Sequence, residues 1–181
     1  MTTAPRGLTI RPERHDDHEV IAEVVAAAFG SPAEAALVEA IRASPNAVPE
    51  LALVAELDGE VVGHTMISYV TLEGRGARRL IPSLAPLAVA PPHQGRGIGS
   101  ALVREVMARA DAAGEPLVVL EGSPAFYGRL GFEHSVPLGI EIDLPSWAPP
   151  EAAQVMRLRA YDSAIRGRVV YPPAFVEVVE H

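Results

Sequence analysis

The segment VAPPHQGRGIGSALV, from Val89 to Val103, constrains this chain more than any other. A strand-like apolar run enters it and a helix-like amphipathic run leaves it. Between them stand Gln94 and three glycines in five residues, Gly95, Gly97 and Gly99. That is more glycine than a tight strand-to-helix connection needs. Glycine lets a bound group come close to the backbone. The first turn of a helix adds unpaired N–H groups and roughly half a positive charge. Together they suit an anion, a phosphate or diphosphate above all. A Rossmann fingerprint needs G-x-G-x-x-G, and here Ser100 stands at the last position. A Walker loop needs a lysine, and all 15 basic residues of this chain are arginine.

Composition narrows the chemistry further. The chain has 181 residues, 49% of them hydrophobic, which is enough for one globular unit with a substantial core. Without lysine there is no lysine Schiff base. Without cysteine there are no disulfides, thiolate metal sites or cysteine acyl-enzymes. A net charge of −8 and the lack of a basic run argue against nucleic acid as a partner. The start, MTTAPRGLTIRPERHDDHEV, lacks the apolar core of a signal peptide. No apolar run reaches the ~18 to 20 residues that span a bilayer. The expectation is a cytoplasmic protein with no membrane partner.

Periodicity gives the organisation. LTIRP reads as a short strand, and DDHEVIAEVVAAAF as a helix with Asp16 or Asp17 as its cap. Gly30-Ser31-Pro32 breaks that helix and opens AEAALVEAIRAS. LALVAEL and EVVGHTMISYV flank Asp58-Gly59, a hairpin signal. EGRGARR reads as a loop. LIPSLAPLAVA carries two prolines, which predicts a bulged or locally unpaired strand. IGSALVREVMARADAAG is a helix with Ile98, Leu102, Val103, Val106, Met107 and Ala110 in one stripe. PLVVLEG is a buried strand, and SPAFYGRLGFE a short helix leading to another strand. VPLGIEIDL and QVMRLRAYD are expected to form antiparallel strands, and RVVYPPAFVEVV closes the chain. The fold class is α/β, with a mixed, mostly antiparallel sheet flanked by helices.

Gln94-x-x-Gly97-x-Gly99 resembles the (Q/R)-x-x-G-x-(G/A) signature of the GNAT superfamily, the GCN5-related N-acetyltransferases. LAPLAVAP before it and SALVREVM after it resemble that family's fourth strand and third helix. FYGRLGFE, Phe126 to Glu133, is similar to its later Y-x-x-x-G-F element. The likeness covers about residues 8–143. The ending GRVVYPPAF is similar to a bacterial subgroup of predicted N-acetyltransferases. The resemblance implies one N-acetyltransferase domain over 1–181, with a core at about 8–143 and a β-rich extension at 144–181.

It also implies acetyl-CoA, held in a gap between splayed fourth and fifth strands. The backbone of Leu87, Ala88 and Val89 would pair with the pantetheine arm and acyl carbonyl. The N–H groups of Gly95, Arg96, Gly97, Ile98, Gly99 and Ser100 would hold the diphosphate. Gln94 would brace the turn, Arg96 could reach a CoA phosphate, and Phe126 would pack along the arm. Tyr127 matches the family's general acid, which protonates the leaving thiolate.

The acceptor amine must first lose a proton, at a cost of about 4.6 kcal/mol at pH 7 for a lysine-like group. Many members use a glutamate on the fourth strand for this, and SLAPLAVA has no acid. Glu121, at the end of LVVLE, is the best alternative base, with Glu73 and His64 weaker. His15 and His18 have ligand-like spacing but no companions, so no metal is expected. Trp147 reads as a loop anchor, and Tyr69 faces either core or substrate. The acceptor pocket is expected from the first two helices, the loop at Arg75 to Arg79 and the C-terminal segment. The resulting expectation is direct acetyl transfer to a primary amine of a small molecule or peptide, in a chain that could be a homodimer. The rivals are a non-catalytic acyl-CoA sensor and a structural domain on the same scaffold.

Overall fold

In a computed structural model, residues 2–176 are described. The chain opens with β1 (Leu8–Pro12), followed by α1 (His18–Phe29) and α2 (Ala33–Arg42). A meander follows: β2 (Ala47–Leu57), β3 (Glu60–Gly74) and β4 (Ala77–Val89). Next come α3 (Ile98–Ala112), β5 (Leu117–Glu121), α4 (Pro124–Gly128) and β6 (Glu133–His134). The chain then forms β7 (Ile140–Glu141), β8 (Ala153–Arg157), β9 (Gly167–Val170) and α5 (Pro173–Val176). The sheet runs β1-β2-β3-β4-β5-β8-β6, with β9 added to β3 and β7 to β9. Only β4–β5 and β7–β9 are parallel.

Strand alternation decides which face each residue serves. Leu53, Ala55, Val118 and Leu120 share a cluster with Leu102, Val106 and Met107 of α3. Their neighbours Ala52 and Val54 instead meet Ile21, Val25 and Ile41 of α1 and α2. Leu117 and Val119 turn the same way as those and pack on Ile140, Ile165 and Val169. So α3 covers one face, while α1, α2 and the C-terminal segment cover the other.

Several local expectations are met for visible reasons. Asp58 and Gly59 both have positive φ, 51° and 85°, and form the two-residue β2–β3 turn. The proline-bearing strand is bulged: Leu84 and Leu87 of β4 face Ile67 and Thr65 of β3, so Ala85 and Pro86 stand against one residue. The Thr65 hydroxyl donates to the Pro86 carbonyl at 2.9 Å, which satisfies it outside the ladder.

Other expectations need correction. EGRGARR is not a loop, because β3 and β4 stay paired to Gly74–Ala77 around a two-residue turn at Arg75 and Gly76. The strands from VPLGIEIDL and QVMRLRAYD do not pair with each other. Ile140–Glu141 runs parallel to β9, and Ala153–Arg157 runs antiparallel to β5. Two short strands of similar pattern carry no local mark of their partner, so non-local pairing decides. RVVYPPAF splits into β9 and α5, and the rest of that predicted segment lies outside the described residues. Asp17 makes no cap bond to α1. Its carboxylate accepts from the Arg14 N–H and from Arg11, both at 2.7 Å.

Candidate active site

Where β4 and β5 run side by side, their register holds only at Ser83 and Val119. Beyond that point the two strands part. β4 continues to Val89, and β5 ends at Glu121. The glycine turn begins at the open end. Gly95 and Gly97 take φ of 74° and 80°, the left-handed region that favours glycine. Gly97 is also the N-cap of α3, so the turn delivers the first N–H groups of that helix to the gap. Gln94 Nε2 donates to the Val89 carbonyl at 2.9 Å, tying the turn to the strand it follows.

A cavity of about 670 Å³ opens there. It is lined by Leu87, Val89, Gln94, Gly95, Gly97, Ile98, Gly99, Ser100 and Phe126 of the expected set. A Cβ on Gly99 would touch Phe126, Val89 and Leu87 at 3.6–3.8 Å, which shows how closely α4 and β4 flank the helix start. Ala88 and Arg96 are not in the lining. The Ala88 side chain is buried with α1, so only its backbone is available to the gap. Arg96 Nη1 lies 3.1 Å from His93 Nδ1 on the exposed side of the turn.

Further lining residues that sequence reasoning passed over include His93, Arg104 and Arg129. Arg104 follows Gly97 by seven residues, two helical turns, and so shares its face; that spacing was readable. Thr2 also lines the cavity, and its carbonyl oxygen stands 2.8 Å from where a Gly97 Cβ would lie. Among the described residues no aspartate or glutamate belongs to the lining. Left-handed glycines, helix-start amides, two arginines and apolar Leu87, Val89 and Phe126 fit a ligand with an anionic head and an apolar arm.

Tyr127 stands on α4, whose first turn is fixed by the Ser123 hydroxyl accepting from the Phe126 N–H at 3.3 Å. Its ring packs edge-on against Phe126 and Phe132, with centroids 4.8 and 5.6 Å away. It also presses on Gly122, where a Cβ would lie 2.4 Å from the Tyr127 ring. Gly122 is therefore part of the Tyr127 seat, a consequence of packing that no local pattern marks. Burial pushes the Tyr127 hydroxyl up to about 12, so it keeps its proton at neutral pH.

Glu121 ends β5 on the face opposite α3, next to Gly122. The residue is exposed at the strand end, and partial desolvation of its carboxyl raises the pKa above the usual range, with the Tyr171 hydroxyl opposing that and the charge of Asp143 adding to it. Tyr171 follows β9, fifty residues further on, so only the fold brings it here.

The remaining candidates are occupied elsewhere. His64 is fully buried on β3, with Nε2 2.9 Å from Glu13 Oε2. Burial lowers the His64 pKa first, with Glu13 opposing, so the ring is neutral and donates from Nε2. Burial alone would raise Glu13, but hydrogen bonds from His64 and Arg42 outweigh it and hold the carboxyl at about 2. Glu73 pairs with Arg78 at 2.7 Å in a different cavity. The Tyr69 hydroxyl donates to Glu115. Trp147 is 82% exposed and anchors nothing. His15 and His18 meet edge-to-face at 5.0 Å, and His18 lies 3.6 Å from Glu13. The Arg75–Arg79 segment lines its own cavity and shares no lining residue with the glycine turn.

Comparison with known proteins shows the family and the fold. Residues 9–135 match the family model described as an acetyltransferase (GNAT) domain. An uncharacterised N-acetyltransferase of Escherichia coli K12, YjhQ, is 38% identical over 117 residues, 65% of each chain. A second, YhbS, is 36% identical over 163 residues, 88% of this chain and 92% of that one. The crystal structure of E. coli YhbS in complex with CoA superposes with a TM-score of 0.83 at 32% identity, covering 96% of this chain and 95% of that one. A GNAT acetyltransferase from Brucella melitensis in complex with acetyl-CoA gives 0.74 at 33% identity, over 93% and 97%.

Proposed function

The chain belongs to the GNAT family of acetyltransferases, and from that premise we propose that it moves an acetyl group from acetyl-CoA directly to a primary amine of a small molecule or peptide. The observation that carries the reading is the cavity lined by left-handed glycines, helix-start amides and two arginines where the glycine turn meets the open end of β4. Acetyl-CoA supplies an activated thioester when bound. The amides of Gly95 to Ser100 receive its diphosphate, with Gln94 bracing the turn. The β4 backbone at Leu87, Ala88 and Val89, with Phe126 beside it, takes the pantetheine arm. Arg104 and Arg129 add positive charge that the backbone alone does not supply.

Tyr127, packed beside the lining residue Phe126 but not itself in the lining, holds its proton at neutral pH. Moving that proton from a phenol at about 12 to an alkyl thiolate near ~8.5 is uphill by roughly 5 kcal/mol. Tyr127 therefore first donates a hydrogen bond to the leaving sulfur, and the proton follows as charge accumulates there. Glu121 takes the proton of the incoming amine. Its raised pKa makes it a stronger base than a carboxylate at its ordinary value. It must be ionised to act, so activity is lost as pH falls through its raised pKa.

The test is a thiol-release assay across a panel of primary amines with acetyl-CoA. The account expects turnover with at least one amine class and a fall in kcat of about 100-fold or more in Tyr127→Phe. It also expects the acid limb of the rate profile to weaken in Glu121→Gln. Tight acetyl-CoA binding with no amine-dependent release, unchanged in Tyr127→Phe, would instead identify a sensor.

A further inference from the structure

A second cavity lies away from the gap, where the β3–β4 hairpin meets the segment from Gly139 to Arg168. It measures about 890 Å³, within the size range of small-molecule sites. Its lining includes four arginines, Arg75, Arg79, Arg166 and Arg168, against two glutamates, Glu73 and Glu141. That is a net charge of +2 in a protein whose total is −8.

The two glutamates offset the four arginines only in part. Arg78, outside the lining, already takes the Glu73 carboxylate at 2.7 Å, and the charge of Glu141 acts on Arg168. Arg168 faces Asp143. Among the described residues no ion pair engages Arg75 or Arg79. Arg166 donates from Nε to the Ser163 carbonyl at 3.1 Å, which fixes the side chain without neutralising it. Its stem crosses Gly139, where a Cβ would stand 2.9–3.1 Å from the Arg166 side chain. Gly74 and Gly167 allow the floor to close, since a Cβ on Gly74 would meet the Arg166 carbonyl at 2.8 Å and one on Gly167 the Glu73 carbonyl at 2.3 Å.

We propose that this cavity is a binding site for a small multivalent oxyanion, a di- or tricarboxylate or a phosphate, held by Arg75, Arg79 and Arg166. Guanidinium groups match carboxylate and phosphate oxygens in bidentate geometry. A cationic amine is repelled there, which separates this site from the acceptor side at Glu121. The proposal stands independently of the transfer reaction.

Isothermal titration tests it, with the protein first saturated with acetyl-CoA so that the glycine turn is filled. Citrate and inorganic phosphate are the two probes, and the one that binds identifies the chemistry. We expect saturable one-site binding below about 1 mM, weakened tenfold or more in Arg79→Ala/Arg166→Gln. Arg75→Ala/Arg79→Ala alters only exposed side chains on the hairpin and should weaken binding in the same direction with an unchanged melting temperature. Absence of saturable binding by both probes, or equal affinity in the exposed double variant, would overturn the assignment.

Discussion

Two cavities of this acidic protein present positive charge by different means. At the glycine turn the positive charge comes first from peptide N–H groups, placed by two left-handed glycines and the start of α3. At the hairpin cavity it comes from arginine side chains on β4, on the β3–β4 turn and before β9. A backbone cradle has fixed direction and little entropy to lose. A guanidinium cluster is adaptable, exposed to salt and dependent on several distant segments. The first suits a constant group such as a diphosphate, and the second a soluble anion of variable occupancy.

The two differ equally in how far they could be read from sequence. The cradle is local: strand, glycines and helix follow one another within Val89 to Val103, so spacing alone exposed it. The bulge at Ala85 and Pro86 was legible for the same reason, because proline cannot donate to a ladder, although Pro82 keeps its register opposite Tyr69. The hairpin cavity joins residues 72–79 to 139–168, and no local pattern links them. EGRGARR looked like a loop because its glycines and arginines are not strand formers; pairing with β9 keeps Thr71, Leu72 and Glu73 in the sheet. Tyr171 beside Glu121 and Gly122 beneath Tyr127 were hidden alike, since both are consequences of packing.

The contrast can be broken most forcefully at Gly97. Gly97→Val forces a β-branched residue into φ 80° and against the Thr2 carbonyl. Acetyl-CoA affinity should fall about 100-fold or more by titration, while citrate binding at the hairpin cavity stays unchanged and circular dichroism shows a folded protein. Loss at both sites would mean the cavities are not separate. A smaller effect is expected from salt. Raising sodium chloride from about 50 to 300 mM should weaken anion binding at the arginine cavity by about tenfold and acetyl-CoA binding by clearly less. Equal losses would mean side chains dominate in both. Smaller still, Gln94→Ala removes one hydrogen bond to Val89, worth ~1 kcal/mol, and should raise the acetyl-CoA Kd about fivefold.

The Glu13 cluster supplies a control on the frame that carries both sites. With its carboxyl held at about 2 in the folded state and near 4.5 when unfolded, Glu13 contributes stability above pH ~4.5. That contribution is lost as pH falls toward 2. Acid unfolding followed by fluorescence should show that dependence, flattened in Glu13→Gln, whose melting temperature at pH 7 should also be lower.

Amide resonances report most directly on the claim that peptide N–H groups take the diphosphate. Spectra of the 15N-labelled protein would be compared with acetyl-CoA and with acetyl-pantetheine, which carries the thioester without the diphosphate. The account predicts large downfield shifts at Gly97, Ile98, Gly99 and Ser100 with acetyl-CoA that are missing with acetyl-pantetheine. Equal shifts with both ligands, or changes confined to arginine side chains while these amides stay still, would contradict it.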